Sequence, residues 1–205
     1  MPPVFDALLL AGGAATRLDG ADKPAVLVGE RTLLQHSMVA VADARRCVVV
    51  GPARPGLTGT DRIRRCQEDP PGGGPVAAIA AGVAETSAEL VVLLAADMPW
   101  VAAAVPALLS ALAREKSADA AAVVDARGQR NHLAAAWRRP ALLTALARCG
   151  PPAGVAARSL YRDVAVAEVR AGVDLPEHAA EDCDTWSDIA RARARVERGG
   201  NEPTR

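Results

Sequence analysis

Asp97 stands at the end of the most hydrophobic run in the chain, Leu90–Ala96. A carboxylate in that place is costly unless something offsets its charge. A helix cap is one answer. Mg²⁺ is another, because it takes one or two carboxylates and completes its shell with waters and substrate phosphates. A second apolar run leads into Leu10-Ala11-Gly12-Gly13, followed by Arg17 and then Asp22-Lys23-Pro24. Two adjacent glycines form a plain turn, or they let successive N–H groups turn inward and approach a phosphate closely. Arg17 adds a forked donor and Lys23 a compact charge, both suited to phosphoryl oxygens. The stretch contains neither GxxxxGK[ST] nor GxGxxG, so it is not a P-loop or a dinucleotide fingerprint. A glycine-rich phosphate loop and a strand-end acid together describe a metal-assisted nucleotide site.

Elements of recognisable period must place these residues. Val4–Leu10 reads as a strand buried on both faces, Cys47–Val50 as a second and Arg62–Gln67 as a third. Thr32 and Gln35 have capping-box spacing, and Leu34, Met38 and Val41 continue one helical face. Pro75 suits the first position of a helix bearing Val76, Ile79, Ala80 and Val83 on one stripe. After the Leu90–Ala96 strand, Val105, Leu108, Leu109 and Leu112 mark another helix. Strands follow at Asp119–Val124 and Leu133–Trp137, joined by the polar stretch Asp125–His132. A helix then runs to about Arg148, a strand spans Val164–Val169 and a last helix covers about Asp184–Glu197. Continuous apolar strands separated by helices imply a mostly parallel sheet covered on both faces. The expected fold is a three-layer α/β/α Rossmann-like arrangement, with residues 1–198 as one domain and 199–205 as a flexible tail. Ligands of such sheets bind outside the carboxyl ends of the strands, where both motifs fall.

Composition narrows the function. Half of the 205 residues are hydrophobic, and 24 basic residues balance 24 acidic ones. A neutral total argues against a general nucleic-acid binder and, with the high apolar content, against disorder. Only five aromatics occur (Phe5, Trp100, Trp137, Tyr161 and Trp186), too few for a single-strand stacking platform. The four cysteines show no CxxC or CxH pairing, which points to reduced thiols rather than a disulfide or zinc scaffold. No run suits a signal peptide or a membrane span, so a cytoplasmic protein without membrane partners is expected. Of the 24 basic residues only Lys23 and Lys116 are lysines. The run Arg191, Arg193, Arg195, Arg198 reads as a solvated helix face, and His36 and His178 show no partner pattern. Trp100 reads as packing against the helix that follows it.

Leu10-Ala11-Gly12-Gly13, Arg17, Asp22-Lys23, Asp97-Met98-Pro99 and Asp184-Thr185 resemble the glycosyltransferase-A-like nucleotidyltransferases. Within them the sequence is most similar to the MobA type, the molybdenum cofactor guanylyltransferases, over about residues 4–197. Glu68-Asp69 with Gly72-Gly73-Gly74-Pro75 resembles the family's second nucleotide loop, and Asn131-His132-Leu133-Ala134-Ala135 its acceptor-side segment. Gly51-Pro52 stands where some members carry an amide near the base, and Leu18 where methionine is usual. The resemblance implies Mg²⁺-dependent transfer of GMP from GTP to the terminal phosphate of molybdopterin, with release of pyrophosphate. It places Leu10, Ala11, Gly12 and Gly13 along the nucleotide, Arg17 and Lys23 on the triphosphate and Asp69 at the nucleoside. Asp97 is implied as a ligand of both nucleotide and metal. Asp184 is implied at a second metal-proximal position, with a cap for the last helix as the alternative. Arg130, Asn131 and His132 are implied as acceptor contacts. Transient contact with molybdoenzymes or their chaperones belongs to the same picture. The rival readings are a relative using CTP or another phosphorylated acceptor, and a catalytically silent GTP-binding adaptor.

Overall fold

The structure, a computed structural model, describes residues 3–12, 18, 20–54, 57 and 59–199. Gly13 and Arg17, both expected at the nucleotide, lie outside the described residues, as does the expected tail from residue 200 on.

A seven-stranded sheet forms the centre, in the order β5 (Ile63–Cys66), β4 (Arg46–Val50), β1 (Phe5–Leu10), β6 (Leu90–Ala95), β8 (Arg130–Arg138), β7 (Ala120–Val124), β9 (Val166–Arg170). Every neighbouring pair is parallel except those that β8 makes with β6 and β7. β8 is reversed because a tight turn joins it to β7. Asp125 Oδ1 accepts the N–H groups of Arg127 (2.9 Å) and Gln129 (2.8 Å), folding the chain straight back. The strand therefore begins at Arg130, and Arg130, Asn131 and His132 sit in it rather than in the polar connection expected there.

Alternation along β1 explains why its sequence looks continuously apolar. Phe5, Ala7 and Leu9 face one core with Leu34 of α1 (Leu33–Ala40), Val41 at its C-cap and the Val105, Leu108, Leu109, Leu112 stripe of α3 (Ala104–Arg114). Leu8 and Leu10 face the other, against Val76, Ile79 and Val83 of α2 (Pro75–Ala84) and Leu142 and Ala145 of α4 (Arg139–Cys149). Two helices on each face complete the three-layer, mostly parallel Rossmann-like α/β fold. The Thr32–Gln35 capping box is present in both directions, at 3.2 and 2.8 Å. Pro75 occupies the first turn of α2.

A smaller apolar cluster of Val28, Leu33, Cys183, Ile189 and Ala192 seats α5 (Trp186–Gly199) on a short hairpin of β2 (Leu27–Val28) and β3 (Arg31–Thr32). Trp100 packs here, with His36 at 6.4 Å, His178 edge-on at 5.6 Å and the Arg195 guanidinium 5.8 Å from its ring centre. The two histidines thus share one aromatic partner. Arg193 donates to the Leu27 carbonyl at 2.9 Å, so that side of α5 is tied down rather than merely solvated.

Asp6 is the one acid within β1, and it is fully buried. Arg45 grips both its oxygens (3.1 and 2.8 Å), and the N–H groups of Ser87 (2.7 Å) and Ala88 (2.8 Å) complete the shell. The four cysteines are free, and burial pushes the Cys47 and Cys183 thiols up to about 12. Among the described residues no helix is long and apolar enough to cross a membrane.

Candidate functional site

The carboxyl ends of β1, β4 and β6 meet at one edge, and there the chain passes its backbone groups very close together. Ala11 N–H donates to the Val50 carbonyl (2.8 Å) and Ala96 N–H to the Leu10 carbonyl (3.0 Å). Gly51, at φ +147°, lies so near this crossing that an added Cβ would come within 2.9 Å of Ala11 and Gly12 backbone atoms. A side chain at this position has no room on this backbone. Gly12 faces Glu68 in turn, whose Oε1 lies 3.7 Å from where a Gly12 Cβ would stand.

Glu68 is buried, while its neighbour Asp69 is exposed. Glu68 Oε1 accepts the Gly72 N–H at 3.0 Å, which folds the glycine-rich turn back over the acid. Among the described residues its Oε2 is buried with no hydrogen-bond partner. Of the two acids at the second loop, Glu68 is therefore the one aimed into the Gly12 cradle.

Lys23 opens a short 3₁₀ turn, Lys23–Ala25, on the return of the first loop. Its ammonium sits between two carboxylates, 2.7 Å from Asp97 Oδ2 and 2.5 Å from Asp184 Oδ1. Burial alone would lower the Lys23 pKa, but the charges and hydrogen bonds of Asp97 and Asp184 hold it above the ordinary lysine value. Asp97 follows β6, and its other oxygen, Oδ1, is buried with no hydrogen-bond partner among the described residues. The Cys183 N–H donates to the Asp97 carbonyl at 3.0 Å, which lays residues 182–184 against the end of β6. Thr185, not Asp184, caps α5: Thr185 Oγ1 accepts the Asp188 N–H (3.2 Å) and Asp188 Oδ2 accepts the Thr185 N–H (2.7 Å). The side chain of Asp184 instead turns toward Lys23, 161 residues away in sequence.

Among the described residues no group of three or more His, Cys, Asp and Glu side chains could hold a metal by itself. Asp97 and Asp184 nevertheless fit a hard divalent cation that brings water and phosphate oxygens of its own. The donor set is all oxygen, and Asp97 presents a buried oxygen that lacks a partner. Lys23 already marks the spot as one that a cation fills.

Beside this corner lies a cavity of about 530 Å³ lined by Asp125, Gln129, Arg130, Asn131, His132, Leu133, Ala156, Ala157, Arg158 and Asp182. All three residues expected on the acceptor side open into it. Asn131 bridges back to the Asp97 loop through Nδ2 to Met98 Sδ (3.4 Å), and its Oδ1 accepts the Leu133 N–H (2.9 Å). Tyr161 supports the wall, donating to the His132 carbonyl at 3.0 Å under the His132 ring and the Arg130 guanidinium. Burial and then the charges of Arg130 and Arg158 push the His132 pKa down, so it is neutral at pH 7. Burial and the neighbouring Asp184 and Asp97 charges raise the Asp182 carboxyl at the side nearest Lys23. A second cavity, of about 440 Å³, is lined by Val41, Cys47 and Ile63 at the amino ends of β4 and β5. That is the opposite end of the sheet from where parallel α/β folds take ligands.

Residues 7–171 match the MobA-like NTP transferase domain. The chain belongs to that family. A molybdenum cofactor guanylyltransferase from Acidiphilium cryptum is 32% identical over 138 residues, covering 64% of this chain and 65% of that protein. Another from a Bradyrhizobium species is 34% identical over 124 residues, covering 56% and 57%. The matches thus span a little under two thirds of these relatives. The molybdopterin-guanine dinucleotide biosynthesis protein A of Archaeoglobus fulgidus shares the fold, with a TM-score of 0.72 at 18% identity over 94% of this chain and 99% of that one.

Sequence reasoning missed Arg158, Asp182 and Arg54, whose guanidinium reaches both ends of the loop after β1, at Ala11 and Asp22. Arg158 and Asp182 come from late loops with no motif, and Arg54 is one of 22 arginines.

Proposed function

We propose that the protein is a molybdenum cofactor guanylyltransferase that moves GMP from GTP to the terminal phosphate of molybdopterin, with residues 1–198 as its catalytic domain. The observation that carries this reading is Lys23 held between Asp97 and Asp184 beside the Ala11–Gly12 crossing. A cation and two acids converge where a triphosphate and its metal would lie. The family membership and the guanylyltransferases it resembles support the same assignment.

In this account Leu10, Ala11, Gly12 and Gly13 follow the nucleotide through their backbone. Arg17 and Lys23 stabilise the charge of the departing pyrophosphate, Lys23 leaving the two acids for the phosphates. Mg²⁺, when bound by Asp97 and Asp184, supplies polarisation of the α-phosphate. Glu68 Oε2, an acceptor-only group lacking a partner, suits a nucleoside donor such as guanine N1–H and N2–H₂ or a ribose hydroxyl; Asp69 stands outside it. Arg130, Asn131, His132 and Arg158 would hold the acceptor in the neighbouring cavity. The attacking phosphate is already ionised near neutral pH, so no general base is needed. Positioning and charge neutralisation then supply most of the rate, as in phosphoryl transfer generally.

Pyrophosphate release from each of GTP, CTP, ATP and UTP, with Mg²⁺ and molybdopterin, tests the reading. Release from GTP alone is expected. Release from CTP in preference to GTP would move the protein to the cytidylyl-transferring relatives, and tight GTP binding without release would make it an adaptor.

A further inference from the structure

Arg54 lies four residues beyond β4 and belongs to none of the motifs above, yet its side chain is only 9% exposed. Its guanidinium ties together two separated segments. Nε and Nη2 donate to Asp22 Oδ2 and Oδ1, each at 2.7 Å, in the paired geometry that gives arginine–carboxylate contacts their rigidity. Nη2 also donates to the Ala11 carbonyl at 2.6 Å, and Nη1 reaches the Pro52 carbonyl at 3.5 Å.

The two segments are the two ends of the nucleotide loop. At Ala11 the chain leaves β1, and at Asp22 it returns. Asp22 directly precedes Lys23, and its carbonyl accepts the Ala25 N–H at 2.8 Å, so it also anchors the turn that carries Lys23. A displaced Asp22 would carry the Lys23 ammonium with it. Only a planar fork can meet two carboxylate oxygens and a carbonyl at once; a lysine ammonium in the same place offers no such pairing.

We propose that Arg54 is a positioning residue which, by clamping Asp22 to Ala11, fixes where Lys23 delivers its charge to the phosphates of a nucleoside triphosphate. The inference rests on the nucleotide reading given above. It assigns Arg54 no phosphate contact of its own; Nε and Nη2 are committed to protein oxygens.

The distinction is testable by a double-mutant cycle, which isolates whether two residues act through one another. The readout is affinity for a fluorescent GTP analogue with Mg²⁺, with the thermal midpoint of each variant recorded. Arg54→Met is expected to weaken binding at least about tenfold in the native background but less than about twofold in a Lys23→Met background. Arg54→Lys should recover little of the loss. Asp22→Asn, which leaves Arg54 and the half-exposed surface in place, should weaken binding in the same direction should Arg54→Met fold poorly. Equal losses in both backgrounds would show Arg54 acting on the nucleotide directly and overturn the proposal, as would native affinity in both Arg54→Met and Asp22→Asn. A native protein that does not bind the analogue overturns the nucleotide reading itself, and this inference with it.

Discussion

Lys23 occupies the place between Asp97 and Asp184 where a divalent cation would be bound, so removing its charge should improve metal binding even though it harms nucleotide binding. The contacts set the size of the effect. The Asp97 contact, 2.7 Å long between side chains 17% and 22% exposed, is a charge-assisted hydrogen bond worth about 1.5–3 kcal/mol. The Asp184 contact is closer to solvent, with that side chain 43% exposed, and adds about 0–1 kcal/mol. A metal entering the native site must break both, whereas in Lys23→Met it meets two carboxylates that repel each other. About 2 kcal/mol corresponds to a roughly thirtyfold gain in affinity, at about 1.4 kcal/mol per decade. Mn²⁺ titration followed by electron paramagnetic resonance, without nucleotide, reads this directly. Lys23→Met should bind Mn²⁺ about ten- to a hundredfold more tightly than the native protein, and adding Asp97→Asn should remove the gain. A Lys23→Met protein that binds Mn²⁺ no better than the native one would refute the idea that lysine and metal share the site.

Other consequences concern the frame around the site. Asp6→Ala leaves the buried Ala88 N–H and the Arg45 guanidinium without their carboxylate and should cost about 2–5 kcal/mol in urea unfolding. Burial alone would raise the Asp6 carboxyl, but Arg45 and the two N–H groups hold it below its ordinary value near 3.8. Its stabilisation is therefore complete above that value and fades as pH falls through the lower folded one, so Asp6→Ala should show a shallower loss of stability below about pH 4 than the native protein. Gly51→Ala brings a Cβ to 2.9 Å from the Ala11–Gly12 backbone at a φ that L-residues rarely adopt. It should lower stability by about 1–3 kcal/mol and weaken GTP binding together; an unchanged thermal midpoint would show that the crossing relaxes freely.

The parallel sheet was legible because strands buried on both faces read as continuous apolar runs, and β1, β4 and β6 are such strands. β8 was harder: its first three residues are polar, line a cavity and look like a loop, so only the Asp125 turn reveals that the strand starts at Arg130. The Asp97 end of the site stood out by contrast, an acid after seven apolar residues. Asp184 did not, because Asp184 and Thr185 are both plausible caps and only the geometry assigns the cap to Thr185. Glu68 and Asp69 are adjacent acids that sequence cannot rank, since which one is buried depends on how the glycine turn folds over them. Arg54 was invisible for a different reason. Its importance lies wholly in partners 32 and 43 residues away, and nothing about its own neighbours in sequence announces them.

Turnover of Asp97→Asn tests the central claim most directly, with pyrophosphate release measured from GTP, Mg²⁺ and molybdopterin and circular dichroism confirming the fold. The substitution keeps the shape of the side chain while removing the charge needed by a metal at the α-phosphate. Transfer should fall by about three orders of magnitude with the fold intact. Near-native turnover by a folded Asp97→Asn protein would contradict the account.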